Sequence, residues 1–213
     1  MLGYNGHGNL GNGTTADSSI PVAVSQGQMP NGVNFKFIAA GTQHTCAIGT
    51  DDKAYCWGEG TSGQLGNGAG TSSLTPVAVS QGALPAGVNF KQISVGYLAS
   101  CAIATNDRAY SWGRNNYGQA GIGSLGDHTT PVAVLQGDIP AGVNFAEISS
   151  SNLHVCATAT NNRVYSWGYG QYGQIGNGSI GDRSIPTAVT TSGWSAKKDH
   201  SLYVGANLND ERF

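Results

Sequence analysis

The sequence predicts an all-β protein made of β-propeller-type blades, in an incomplete array of about three and a half units. Three observations carry that expectation. The stretch YCWGEGTSGQLGNG at 55–68 returns as YSWGRNNYGQAGIG at 110–123 and YSWGYGQYGQIGNG at 165–178, a period of 55 residues both times. Each period holds short β-prone runs separated by turn residues, and no segment carries a sustained helical period with caps. Glycine, at 33 of 213 residues, is roughly twice as frequent as usual without the Gly-X-Y period of a collagen, so it serves turns.

Counted from the glycine that follows tryptophan, or from Gly3 after Leu2, the units are 3–57, 58–112, 113–167 and a partial unit at 168–189. Together they make a repeat array over 1–189, and 190–213 is an atypical C-terminal tail that loses the register. The first element of each unit is a glycine loop, in which Gly63, Gly66 and Gly68 of the second unit have counterparts in all the others. Glycine reaches positive φ without a side-chain penalty and permits close backbone approach, which suits a tight loop between strands. Asp17, Ser72, Asp127 and Asp182 share one register position after it. A side-chain cap on the loop is the reading preferred there to calcium binding, because no dense series of oxygen ligands accompanies them.

Next, Pro21, Pro76, Pro131 and Pro186 each open a short β-prone segment, PVAV or PTAV. Proline lacks a donor and fits the first residue or outer edge of a strand. A surface connector such as SQGALPAGVNF follows, and then a short strand carrying Ile38, Ile93 or Ile148 in register. A hairpin closes the unit, as in HTCAIGTDDKAYCWG, its Asp and Asn residues suited to the turn. Trp57, Trp112 and Trp167 end its outgoing strand and are the expected blade core. A four-stranded piece this poor in bulky residues buries too little alone, so neighbouring units must pack face to face.

SGQLGNG at 62–68, YGQAGIG at 117–123, TPVAV at 75–79, IAAGTQHTCAI at 38–48 and YCWG at 55–58, in this order, resemble the regulator of chromosome condensation repeat family. The resemblance covers 3–189 and implies a propeller, commonly seven-bladed, with long loops on its faces. Members look like interaction scaffolds; some bind chromatin or act as exchange factors for small GTPases, and some bacterial ones resemble secreted binding or inhibitor proteins. A seven-membered ring needs about twice this chain. Either a second copy, as a homodimer, or the remainder of a longer chain is expected to complete it, and a fragment of a longer chain is preferred.

Cys46, Cys101 and Cys156 share one repeated position, whereas Cys56 stands where the other units have serine. A turn centred on Asp51 sets Cys46 against Cys56 across the hairpin, which makes them a suspected disulfide and points to an oxidising, extracellular or cell-surface setting. A zinc site from His44, Cys46 and Cys56 lacks a fourth ligand. The register reads His44, Ala99, His154, so the histidine is expected to fill a core or backbone-bonding position rather than act as a base. Asn12 and Asn177 start Asn-Gly-Thr and Asn-Gly-Ser, glycan acceptors only in a glycosylating secretory pathway.

A formal charge of -2 and charged residues at 10% give no broad attraction for nucleic acid or an anionic membrane, and Lys197 with Lys198 reads as part of a solvated tail. No apolar run is long enough to span a bilayer, and no cofactor motif is present, the glycines lacking a following Lys-Ser or Lys-Thr. The expected function is therefore a non-enzymatic protein-binding module, its surface formed by Asn116, Tyr117, Gln171 and Tyr172. Alternatives are a guanine-nucleotide exchange factor and a structural segment of a larger secreted or surface protein. An enzyme acting on extracellular polymers would need convergent carboxylates that the sequence does not offer.

Overall fold

A computed structural model describes residues 1–190, so the tail at 191–213, with Lys197 and Lys198, lies outside the described residues. Three four-stranded antiparallel sheets account for all its strands. The first runs β1 (Phe35–Ala40), β2 (His44–Gly49), β3 (Ala54–Gly58), β4 (Ser73–Ala78) in spatial order. The second contains β5 (Phe90–Val95), β6 (Ala99–Ala104), β7 (Ala109–Gly113) and β8 (His128–Ala133); the third contains β9 (Phe145–Ser150), β10 (His154–Ala159), β11 (Val164–Gly168) and β12 (Arg183–Ala188). Strands β1, β5 and β9 lie side by side at the inner edge, where Ser150 N donates to Ser94 Oγ at 2.9 Å. The sheets are consecutive blades of an incomplete propeller.

Each hairpin is fixed by its turn. Asp52, Asp107 and Asn162 adopt φ of 64°, 60° and 59°, the left-handed region that Asp and Asn tolerate best among non-glycine residues. The residue before each reaches a tyrosine hydroxyl four places on: Tyr55 donates to Asp51 at 2.7 Å, while Asn106 and Asn161 donate to Tyr110 and Tyr165 at 3.1 Å. The turn thus supplies the polar partner that lets a buried tyrosine sit in the sheet.

The sheet frame is out of phase with the sequence frame. Every sheet takes three strands from one unit and its outer strand from the glycine-loop half of the next unit. Pro76, Pro131 and Pro186 do not open these outer strands; each lies inside one, at a bulge on the sheet edge where no donor is required. The first β-prone segment, at 21–24, forms no strand, because the outer strand pairs with the strand before its loop and the described residues contain no such hairpin upstream of it. Only a Gly3–Ser18 bridge remains there.

Sheets meet through one repeated joint. Trp112, at the end of β7, points its indole Nε1–H at the Gln64 carbonyl in the loop of the previous sheet, 2.9 Å away, and Trp57 and Trp167 do the same to Asn9 and Gln119 at 2.9 and 3.0 Å. All three rings are at most 1% exposed. A Cβ on Gly66 would lie 2.7 Å from the Trp112 Nε1, and φ there is 68°, so both space and backbone demand glycine. The apolar cost of an open joint is visible at the first sheet: Ile38 is 46% exposed where its equivalents Ile93 and Ile148 are 1% and 3% exposed.

Gly63 and Gly173 share a φ of 83° and 82°, but a Cβ on Gly63 would meet Thr129 Cα at 2.7 Å while one on Gly173 meets nothing within 4 Å. Gly173→Ala should cost about 1 kcal/mol for the backbone alone, and Gly63→Ala a further ~1–3 kcal/mol of overpacking. Urea unfolding midpoints of the two variants measure the difference.

Candidate interaction surface

The loops that carry the joints also present the variable side chains. Each is braced from within: Asp17, Asp127 and Asp182 accept the backbone N–H of Asn5, Asn115 and Gly170 at 2.8, 2.9 and 3.0 Å, and Ser72 accepts that of Gly60 at 3.2 Å. This is the capping role expected for that register position. Gln64, Gln119 and Gln174 each fold back so that Oε1 accepts the N–H two residues earlier, at Ser62, Tyr117 and Tyr172, within 2.8–2.9 Å. The display positions are thereby held on a fixed backbone.

Tyr117 and Tyr172 do not meet directly. Tyr117, in the loop between β7 and β8, packs edge-on against Tyr169 at a centroid distance of 4.9 Å, and Tyr169 packs against Tyr172 at 6.0 Å. Tyr172 is 84% exposed, while Tyr117 and Tyr169 are half-buried by their mutual contact. Tyr169, absent from the sequence-derived set, is the link between the two blades. Its signal was present: it lies in GYGQYGQ, in register with Tyr4, Glu59 and Arg114. At the first joint the same two positions carry His7 and Glu59, whose His7 Nδ1 and Glu59 Oε2 lie 3.1 Å apart. Asn116 and Gln171 are exposed beside the rings, Gln171 tied to Asp182 at 3.2 Å, and the tips of the same loops expose Leu125 and Ile180. The result is an aromatic and aliphatic surface crossing from the second blade to the third.

Cys46 and Cys56 face each other across β2 and β3, both fully buried, with Cα atoms 4.1 Å apart and their sulphurs paired. His44 is also fully buried, and its Nε2 lies 2.8 Å from Ser100 Oγ, which itself donates to the Gln64 carbonyl at 2.9 Å. It belongs to the joint between the first two blades and fills the core position expected for it. His154, where the third blade ends, bonds Ser151 Oγ through Nδ1 at 2.8 Å.

Burial pushes the His44 imidazole down to about 3, against weaker upward pulls from the Tyr97 backbone and the Glu59 carboxylate. An unfolded chain takes up this proton near the ordinary value of about 6.5, so the joint holds its full stability above that pH and loses it progressively as pH falls towards 3. His44→Ala, which reproduces Ala99 of the next unit, should flatten this part of the stability-pH curve. Denaturant midpoints at about pH 7.5 and about pH 4.5 test it.

The chain matches the regulator of chromosome condensation (RCC1) repeat over residues 1–48, 51–103, 106–158 and 161–196, and a second description of that repeat over 35–64, 90–119 and 145–174. It is 32% identical over 187 residues to the ultraviolet-B receptor UVR8 of Arabidopsis thaliana, covering 88% of this chain and 40% of that protein. It is 34% identical over 153 residues to the human E3 ubiquitin-protein ligase HERC2, covering 68% of this chain but 3% of the ligase. Among solved structures it resembles human WBSCR16 with a TM-score of 0.72 at 22% identity, over 88% of this chain and 46% of that one. Yeast RCC1 (Prp20), in a complex with Kap60, gives a TM-score of 0.64 at 26% identity, over 74% of this chain and 37% of that one. The chain thus spans less than half the length of each of these relatives. Tryptophan, loop carbonyl and glycine recur together at every joint of this arc, and the chain belongs to the regulator of chromosome condensation repeat family.

Proposed function

We propose that this protein is a non-enzymatic interaction scaffold that binds a protein partner through the loop face of its second and third blades. The observation carrying this reading is the Tyr117–Tyr169–Tyr172 cluster, with Asn116 and Gln171 beside it, exposed on loops whose backbones are already braced. Aromatic rings held in this way lose little freedom on binding and present both an apolar body and a hydroxyl. Protein partners of a relative point the same way: yeast RCC1 has been solved bound to Kap60, and its Saccharomyces cerevisiae structure was described with binding to Gsp1p and histones. Exchange-factor activity on a small GTPase is the second reading, which the family resemblance implies for some members. We further place the protein in an oxidising compartment, extracellular or at the cell surface, on the strength of the buried Cys46–Cys56 pair.

Affinity capture from host extract, followed by titration of the purified partner, tests the scaffold reading. The double variant Tyr169→Ala, Tyr172→Ala should weaken binding by tenfold or more, about 1.4 kcal/mol, with an unchanged melting temperature. Unchanged affinity for every captured partner would reject it, and partner-dependent release of labelled guanine nucleotide would favour exchange activity. Thiol titration of the denatured, non-reduced protein should find only Cys101 and Cys156 free.

A further inference from the structure

Asn-Gly pairs are prone to spontaneous rearrangement, because no side chain on the glycine hinders its backbone nitrogen from attacking the asparagine side chain. The chain contains five such pairs, beginning at Asn5, Asn12, Asn31, Asn67 and Asn177. Asn12, Asn67 and Asn177 share one register position in the glycine loops, and each is held in the same local turn: its Oδ1 accepts the N–H of the residue two places on, Thr14, Ala69 or Ser179, at 3.1–3.2 Å. Their glycines agree as well, Gly13, Gly68 and Gly178 having φ of 84°, 84° and 81°. Local geometry gives these three pairs no reason to differ.

The joints make them differ. Gly13 N donates to the Leu74 carbonyl at 3.0 Å and Gly68 N to the Thr129 carbonyl at 2.8 Å, each acceptor lying in the outer strand of the neighbouring sheet. Gly123 N, which follows Ile122, makes the same bond to Ser184 in β12 at 2.8 Å. At the end of the arc Gly178 N has no acceptor among the described residues, and a Cβ built on Gly178 meets nothing within 4 Å. The nitrogen that a joint engages at Asn12 and Asn67 is therefore open at Asn177. The other two pairs mark the extremes. Asn5 is fully buried, its Nδ2 donating to the Thr14 and Ala16 carbonyls at 2.9 and 3.0 Å while its Oδ1 accepts from Leu10 N at 2.9 Å. Asn31 lies in an exposed connector, where neither its side chain nor Gly32 N is hydrogen-bonded among the described residues.

We propose that Asn177 is a site of covalent modification, a spontaneous conversion to isoaspartate and aspartate from which the joints protect its counterparts. The Gly178 nitrogen, on losing its proton to solvent hydroxide, attacks Asn177 Cγ. The new C–N bond closes a succinimide ring as the Cγ–Nδ2 bond breaks, and the side-chain amide nitrogen leaves as ammonia. Water then opens the ring at either carbonyl, giving isoaspartate or aspartate without any oxidant, reductant or cofactor. A nitrogen that donates to a carbonyl across a joint neither sheds that proton nor turns towards Cγ until the joint opens locally. The product places a new carboxylate in the loop that carries Tyr172, and its isoaspartate form lengthens the loop backbone by one carbon. This proposal rests on the blade register and is independent of the tyrosine surface.

The test is incubation of the full chain at mildly alkaline pH, followed by peptide mapping by mass spectrometry and labelling with an isoaspartate-specific methyltransferase. Conversion at Asn177 should run at least about tenfold faster than at Asn12 and Asn67, whose joints must first open. Asn31 supplies the reference for an unrestrained pair and Asn5 that for a locked one. In urea the rates at Asn12, Asn67 and Asn177 should converge. Ser179→Ala makes residues 176–179 identical to Gly66–Ala69, Gly-Asn-Gly-Ala in both, and should preserve the difference between Asn177 and Asn67 in the folded protein. Folded protein in which Asn177 converts as slowly as Asn67 would overturn the proposal. So would a difference that survives in urea, or one that vanishes in Ser179→Ala.

Discussion

One hydrogen bond and one steric fit, repeated at each joint, hold the arc together: an indole N–H donates to a loop carbonyl while the ring lies on a glycine that has no room for a side chain. The bond alone contributes only about 1 kcal/mol, but it fixes where a ring of large apolar area must lie. The joints are not equal. Thr45 and Ser100 give the loop carbonyl a second donor at 3.0 and 2.9 Å, whereas the third blade has Val155 at that position and leaves the Gln119 carbonyl to the indole. The first two joints therefore carry a polar reinforcement that the third lacks, set by a single register position.

Much of this was legible in the sequence, for physical reasons that differ by element. The glycine loops, the caps at Asp17, Asp127 and Asp182, and the hairpin turns are governed by local geometry, so residue type and spacing reveal them. The phase of the sheets was not legible, because β4 pairs with β3 across a loop and nothing in PVAV itself states which hairpin it will join. For the same reason the segment at 21–24 looked like a strand and is not one. Connector residues Leu84 and Ile139 read as surface because their neighbours are polar and turn-forming; they are buried by the next sheet, a contact no local pattern contains.

The surface shows the same division. Asn116, Tyr117, Gln171 and Tyr172 were identified from variation at the ends of the loops, and the structure leaves Tyr172 open while drawing Tyr117 against Tyr169. The pairing of Tyr169 with Tyr117 became visible only when two loops were brought together, since the two residues lie in different units. At the first joint the same geometry is filled by His7 and Glu59. The fold thus fixes a pair of adjoining positions at each joint and leaves their chemistry to the individual unit, which separates what the blade needs for stability from what it offers to another molecule.

Because each sheet borrows its last strand from the following unit, no single boundary in the chain isolates a blade. Yet the 55-residue spacing makes the choice of boundary irrelevant to a change in length. Removing or duplicating one whole period, wherever the break falls, rejoins equivalent positions and restores complete sheets on both sides. A gene encoding such an array can gain or lose blades through slipped recombination without any intermediate whose product has an orphaned strand.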